Sequence, residues 1–229
     1  MKLLDKIRRK LLHLRLQPIR VFCFHHVSKF FDESTMLRGD WLPTDVFKQK
    51  VNKLRKEGYV FISLPEACEK LKQDKFRFRK YAVLTADDGW ASLRNILPWL
   101  NEQQIPITLF LNPAYLDGKH YREKKTEQYL TWDEVEKLAS KYPLVTIGSH
   151  GWEHIEAKEQ TPEVFVDKVD LSVKELCTLS NYIPFFAYPY GRNQKWSDKV
   201  IEEKGLIPVY VNGLKNYIDN HSINRELLK

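Results

Sequence analysis

Cysteine is scarce in this 229-residue chain: only Cys23, Cys68 and Cys177 occur, and none forms a Cys-x-x-Cys pair. An odd and widely spaced set excludes a disulfide scaffold and a cysteine-rich zinc module, and it favours a reducing compartment. No apolar run approaches the roughly 20 residues of a membrane-spanning helix. The first residues lack the unbroken apolar stretch and small-residue cleavage site of an export signal, so the expected location is the cytoplasm. Gly-x-Gly-x-x-Gly, a Walker loop, a Gly-x-Ser-x-Gly elbow and His-Glu-x-x-His are also missing, which disfavours dinucleotide, P-loop, serine-hydrolase and zincin chemistry. No linker, repeat or low-complexity stretch interrupts the chain. Its 43% apolar and 29% charged residues are the balance of one soluble globular domain.

Positive charge is present but unevenly placed. Residues 1–20 hold Lys2, Lys6, Arg8, Arg9, Lys10, Arg15 and Arg20 against Asp5, which accounts for most of the net +7 and leaves the body nearly neutral. A nucleic-acid-binding domain spreads such residues over a folded face, so nucleic acid is not an expected partner. Leu3, Leu4, Ile7, Leu11 and Leu14 recur at helical spacing ahead of Pro18. Residues 1–19 therefore read as a basic amphipathic helix preceding a domain over 20–229. Its leucine stripe either covers the domain's own core or, through residues 2–17, holds the protein peripherally at an anionic inner membrane.

From Arg20 onward, short apolar runs alternate with helical patterns. Strands are expected at Arg20–His26, Tyr59–Ile62, Tyr81–Ala86, Ile105–Leu111, Leu144–Ile147, Phe185–Tyr188 and Ile207–Val211. Helices are expected over Thr44–Glu57, Leu64–Gln73, Ala91–Gln103, Pro162–Leu179 and Lys195–Lys204, and from the capping box Thr131-x-x-Glu134 to about Lys141. Strands alternating with helices mean parallel pairing in an α/β domain, open or barrel-like.

The chemistry-bearing residues follow the expected strands, where such folds place their sites. Asp87-Asp88-Gly89 comes directly after VLTA. Adjacent carboxylates repel, and a cation would relieve that; an Asx-type turn with Asp88 capping the next helix is the plainer reading. His150 and His154 flank Gly151-Trp152-Glu153 after LVTI. They share one face if the segment coils into a helical turn, and can then reach one metal; paired surface histidines are the alternative. Phe186-Ala187-Tyr188-Pro189-Tyr190-Gly191 describes a rigid turn, able to pave a sugar site or simply close the core edge. Taken together, two histidines and an aspartate make an open three-ligand site, with the second aspartate free to take a proton from water. That combination is metal-assisted hydrolysis.

LTADDGW, IGSHGWEH and FAYPYG resemble, in order and spacing, the three motifs of the polysaccharide deacetylases, the NodB-homology or family 4 carbohydrate esterases. The block VFCFHHVS…FKQKVNKLRKEGYVFISL is similar to the corresponding region of the biofilm-polysaccharide branch, so the resemblance spans about Val21 to Tyr210. It implies a distorted (β/α) barrel of seven or eight mostly parallel strands. It implies a divalent metal, zinc by default with cobalt, nickel or iron also accommodated, and hydrolytic N- or O-deacetylation of an acetylated carbohydrate. By position, Asp87 is the general base; Asp88, His150 and His154 are metal ligands; and the Tyr190 N–H belongs to the oxyanion hole. Trp90, Tyr188 and Pro189 are the candidate substrate-lining residues. His25, in Phe24-His25-His26-Val27, matches the early general-acid segment of the biofilm-type members, and strand alternation turns His26 the other way. Three positions depart from the family pattern. Ala86 replaces a Phe, and Gly151 removes a hydroxyl that braces the metal loop. Ala187 stands where an arginine orients the base, and Arg192 reaches Asp87 only if its loop turns back. His221 lacks the Leu of the family's C-terminal motif. These departures motivate a second reading, a catalytically weakened carbohydrate-binding protein on the same barrel.

Overall fold

The structure, a computed structural model, describes residues 17–31, 41–73, 79–116, 129–217 and 221–228. The expected amphipathic helix falls almost wholly on residues 1–16, outside that range. Ten strands are described: β1 Ile19–Phe24, β2 His26–Ser28, β3 Trp41–Pro43, β4 Tyr59–Phe61, β5 Lys80–Ala86, β6 Ile107–Leu111, β7 Val145–Ser149, β8 Tyr182–Ala187, β9 Ile207–Val211 and β10 Ile223–Leu227. Helices α1 Thr44–Lys56, α2 Leu64–Gln73, α3 Leu97–Glu102, α4 Pro113–Leu116, α5 Trp132–Lys141, α6 Pro162–Leu176 and α7 Lys195–Glu203 lie between them.

The main sheet runs β1-β10-β9-β8-β7-β6-β5-β4, every pair parallel, and β1 also pairs along the length of β5. That second pairing closes seven strands into a barrel. β4 stays outside the ring, sharing the edge of β5 that β6 takes further along. β2 and β3 form a separate two-stranded ribbon.

Alternation along each strand divides the core in two. Ile19, Val21, Val83, Phe110, Ile183, Phe185, Ala187, Val209 and Ile223 cluster on the inward face. On the outward face Phe22, Phe24, Leu84, Ala86, Leu109 and Ile147 pack with Phe47, Val51 and Leu54 of α1, Leu97 and Leu100 of α3 and Val135 and Leu138 of α5. Each fully buried Phe or Leu contributes about 1.5–3 kcal/mol, so the barrel wall is stabilised from both sides. Thr131 caps α5 as expected: its Oγ1 accepts from Glu134 N at 3.3 Å while its own N–H donates to Glu134 Oε2 at 2.8 Å.

Prolines account for two departures from the expected elements. The helix expected over Ala91–Gln103 is a 3₁₀ turn, Ala91–Asn95, followed by α3, because Pro98 is tolerated only in a first turn. β6 begins at Ile107 rather than Ile105 because Pro106 has no N–H for the ladder. β10 had no counterpart in the expectations. Its sequence, Ile-Asn-Arg-Glu-Leu, has three polar residues in five and carries no apolar alternation.

Candidate active site and metal centre

Parallel strands place all their C-terminal ends at one mouth, and His25, Asp87, Asp88, Asn112 and His150 each lie directly beyond such an end. The β1–β5 register pairs Phe24 with Ala86, and Asp87 N donates to Phe24 O at 3.1 Å, which brings His25 beside Asp87. In an extended strand Asp87 and Asp88 would point to opposite faces. Asp88 instead has φ 70°, followed by Gly89 at φ 76°. This left-handed turn breaks the alternation and lets both carboxylates serve one site.

Asp88, His150 and His154 converge. Asp88 Oδ1 lies 3.3 Å from His150 Nε2 and 3.5 Å from His154 Nε2. A tetrahedral zinc with ligand bonds of about 2.0 Å separates its oxygen and nitrogen ligands by roughly 3.3 Å, so the spacing suits a small divalent cation. Asp88 Oδ1 and His150 Nε2 are buried, and neither has a hydrogen-bond partner among the described residues. The remaining polar atoms are committed elsewhere. Trp90 Nε1 donates to Asp88 Oδ2 at 2.8 Å, and His150 Nδ1 donates to Ala187 O at 2.7 Å, which fixes the tautomer that offers the Nε2 lone pair. Burial opposes ionisation of Asp88, but the two imidazoles outweigh it and hold the group well below the usual carboxylate range. Burial drives His154 down to about 4; in His150 the same burial is overcome by Asp87 and Asp88, and its proton is held more tightly than usual.

The two histidines do not meet on a helical turn. Residues 151–154 form a bend, opened by Gly151 at φ 81°. The segment running out of β6 holds this bend from one side. Asn112 Nδ2 donates to His150 O at 2.6 Å and Gly151 O at 3.3 Å, Ala114 N to Trp152 O at 3.2 Å, and His154 N to the Tyr115 hydroxyl at 3.2 Å. From the other side Gly151 N donates to Ser149 Oγ at 3.1 Å, and Ser149 Oγ pairs with Ser172 Oγ of α6. The bracing expected to be lost with a hydroxyl at 151 is thus supplied by Asn112 and Ser149. Glu153 turns away from the histidines to Lys168 at 2.6 Å.

Asp87 is gripped by a residue that no sequence motif singled out. Arg225, on β10 and 0% exposed, donates from Nη1 to Asp87 Oδ1 at 2.6 Å and from Nη2 to Oδ2 at 2.8 Å, with a further contact of 3.1 Å to Thr85 Oγ1. Burial would raise the Asp87 pKa, but the guanidinium more than offsets it and holds the group at about 2. Arg225 faces inward because Glu226 faces outward, paired at two points with Arg20 of β1, both at 2.6 Å. Ala187 leaves its family position without a guanidinium. Arg192 does not turn back to Asp87; it pairs with Glu156 at 2.8 Å.

The other expected residues divide between site and core. His25 lies at the mouth with ring nitrogen, Cys23 Sγ and an Asp87 oxygen all within 4.8 Å of one another, whereas His26 is buried against the Trp90 ring at 4.0 Å. Trp90 also stacks on Tyr129 at 4.3 Å, at the site's rim. Tyr190 is 56% exposed, has φ 57° and rests edge-on against His154 at 4.4 Å. Tyr188 and Pro189 do not line the site through their side chains. Tyr188 follows inward-facing Ala187, so it points out of the barrel, where it is 0% exposed between Phe165, Phe186 and Tyr210, and Pro189 is buried next to it.

The family model described as polysaccharide deacetylase matches residues 76–209. A protein of Bacillus subtilis (strain 168) named as a polysaccharide deacetylase, YxkH, is 25% identical over 166 residues, 72% of this chain and 56% of that protein. The chain thus spans little more than half the length of this curated relative. Among solved structures, IcaB from Ammonifex degensii is similar with a TM-score of 0.77 at 20% identity, covering 94% of this chain and 93% of that one. The Streptococcus pyogenes deacetylase PplD, solved in complex with acetate, gives 0.78 at 20% identity with 93% of each chain covered. At that identity both likenesses speak to the fold.

Proposed function

This chain belongs to the polysaccharide deacetylase family, and from that premise we propose that it removes acetyl groups from an N-acetylated sugar by hydrolysis, with Asp88, His150 and His154 holding a divalent cation and Asp87 as general base. The observation that carries this reading is the pairing of an oriented, ionised Asp87 with the buried, unpartnered Asp88 Oδ1 and His150 Nε2 next to it. A cation bound there, zinc by the nature of the ligands, supplies polarisation of the acetyl carbonyl and of water. The chain's own residues do the rest. Asp87 lies 3.8 Å from His150 Nε2, close enough to accept the proton of a water at that centre, and Arg225 keeps it ionised and fixed in direction. His25, at the barrel mouth beside Asp87, donates a proton to the departing amine nitrogen. The Tyr190 N–H, presented by a left-handed residue, donates to the developing oxyanion.

Acetate release from N-acetylglucosamine oligosaccharides tests the reading. Asp87→Asn is expected to bind metal and substrate but to lose turnover by a factor on the order of 10²–10⁴; full activity in that variant would remove the assignment. The purely carbohydrate-binding alternative rests on the missing arginine, on Gly151 and on the unmatched C-terminal acid motif. The Arg225–Asp87 pair answers the first of these and supports the enzymatic reading.

A further inference from the structure

A second group of ligand atoms lies next to the first. Cys23 Sγ, a His25 ring nitrogen and an Asp87 carboxylate oxygen all fall within 4.8 Å of one another. We propose that Cys23, His25 and Asp87 form a second, inhibitory site for a thiophilic divalent cation such as zinc or cadmium. The inference rests on the roles given above to Asp87 and His25, because occupancy would engage the base and the acid together.

The site follows from strand geometry. Cys23 and His25 are two positions apart at the end of β1, and Asp87 is two beyond Thr85, which pairs with Cys23 across β1 and β5. A period of two turns all of them to the same inward face. The cysteine is a buried free thiol whose Sγ donates to Asp87 Oδ2 at 3.3 Å. Zinc bonded to sulfur at about 2.3 Å and to oxygen at about 2.0 Å in a tetrahedral site separates the two ligands by roughly 3.5 Å. The thiol and carboxylate therefore already stand near the separation that a shared cation needs. A cation entering here takes the place of the thiol hydrogen. The S–H bond breaks, the proton leaves to solvent, and the sulfur lone pair binds the metal along the direction in which Oδ2 now accepts the hydrogen. Arg225 Nη2 uses Oδ2 as well, but a carboxylate oxygen has a second lone pair for it. The guanidinium's positive charge opposes the cation, so the site demands a ligand as strong as thiolate. That requirement separates thiophilic zinc and cadmium from magnesium and manganese, which prefer oxygen. Half-buried His25 at the barrel mouth provides the way in.

The test is a cadmium titration of the full chain, followed both by bound metal per chain and by the ultraviolet cadmium–thiolate charge-transfer band. The expected result is one equivalent bound without the band and a second bound with it, while magnesium and manganese produce neither second equivalent nor inhibition. Cys23→Ser should lose the second equivalent and the band but keep the first; Cys68→Ser and Cys177→Ser should keep both. His25→Gln retains the thiol and guards against a folding defect in Cys23→Ser. It should weaken the second equivalent roughly tenfold or more and leave the first in place. Survival of the band in Cys23→Ser, or its loss in Cys177→Ser, overturns the proposal. A chain that shows the thiolate band but no equivalent dependent on His154 would overturn the proposed function while leaving this site standing.

Discussion

Arg225 and Asp87 meet as a two-point ion pair inside the barrel, Nη1 to Oδ1 at 2.6 Å and Nη2 to Oδ2 at 2.8 Å, with exposures of 0% and 2%. Removing either partner strands a buried charge, whereas removing both does not. Arg225→Met is therefore expected to destabilise the protein by about 3–5 kcal/mol in urea unfolding. The double variant Asp87→Asn with Arg225→Met should cost clearly less than the sum of the two single changes. Simple additivity would show that the two groups are not coupled.

Acid should undo the same pair. Asp87 is held at about 2 in the folded, metal-free protein against an ordinary value of 3.8. Its folded pKa is depressed, so its contribution is fully present above about pH 4 and is lost as pH falls towards 2, roughly 2 kcal/mol in all. Stability measured between pH 5 and pH 2 should fall less steeply in the double variant than in the parent chain.

Metal affinity should titrate mainly with one histidine. His150 holds its proton more tightly than usual, whereas His154 is already neutral down to about 4. Between about pH 6 and pH 4.5, log affinity in chelator competition should fall by roughly one for each pH unit, because binding displaces one proton. A slope near two would mean that both rings are charged in the free site.

Asn112 holds the loop that carries both histidines, through bonds to His150 O and Gly151 O. Asn112→Ala leaves those buried carbonyls without their donor. The expected effects are a loss of about 1–3 kcal/mol in stability and about 10–100-fold in metal affinity. Unchanged metal affinity would assign Asn112 to packing alone.

Gly191 follows Tyr190 with φ +68°, and a Cβ there would come within 2.7 Å of Val211 N on β9. Gly213 has φ +73° and nothing within 4 Å of a Cβ. Gly191→Ala should therefore cost more than the ~1 kcal/mol of backbone strain expected for Gly213→Ala, because β9 must also move. Comparing the melting temperatures of the two variants checks this. Only the first should also lower acetate release, since only it displaces Tyr190.

Where a site residue ends an apolar strand, the sequence exposes it: Asp87 and Asp88 come after VLTA, and His150 after LVTI. Local chemistry was equally legible in the Thr131–Glu134 capping box. Arg225 was not legible, because its strand is short, mostly polar and lacks alternation, and its role depends on which strand closes the ring. The failure at Tyr188 has a different cause. Within FAYPYG, a one-residue difference in phase decides whether a side chain enters the mouth or the outer core, and composition does not set that phase. Asn112 stood in plain view after ITLFL, but a polar residue between a strand and a proline is also what any turn contains.

The first and last strands of the barrel are hydrogen-bonded neighbours, and each carries a group that acts on Asp87: β1 leads to His25 and β10 holds Arg225. Their shared partner Asp87, directly beyond β5, is separated from Arg225 by 138 positions along the chain. Contacts of that sequence separation form late, after most of the loop-closure entropy has been overcome. During synthesis, the carboxylate proposed as the general base is made long before the guanidinium that pairs with it. A partly folded chain can thus bury much of its wall and still be chemically silent. Recovery of activity on refolding should report ring closure itself and lag behind the appearance of helical structure.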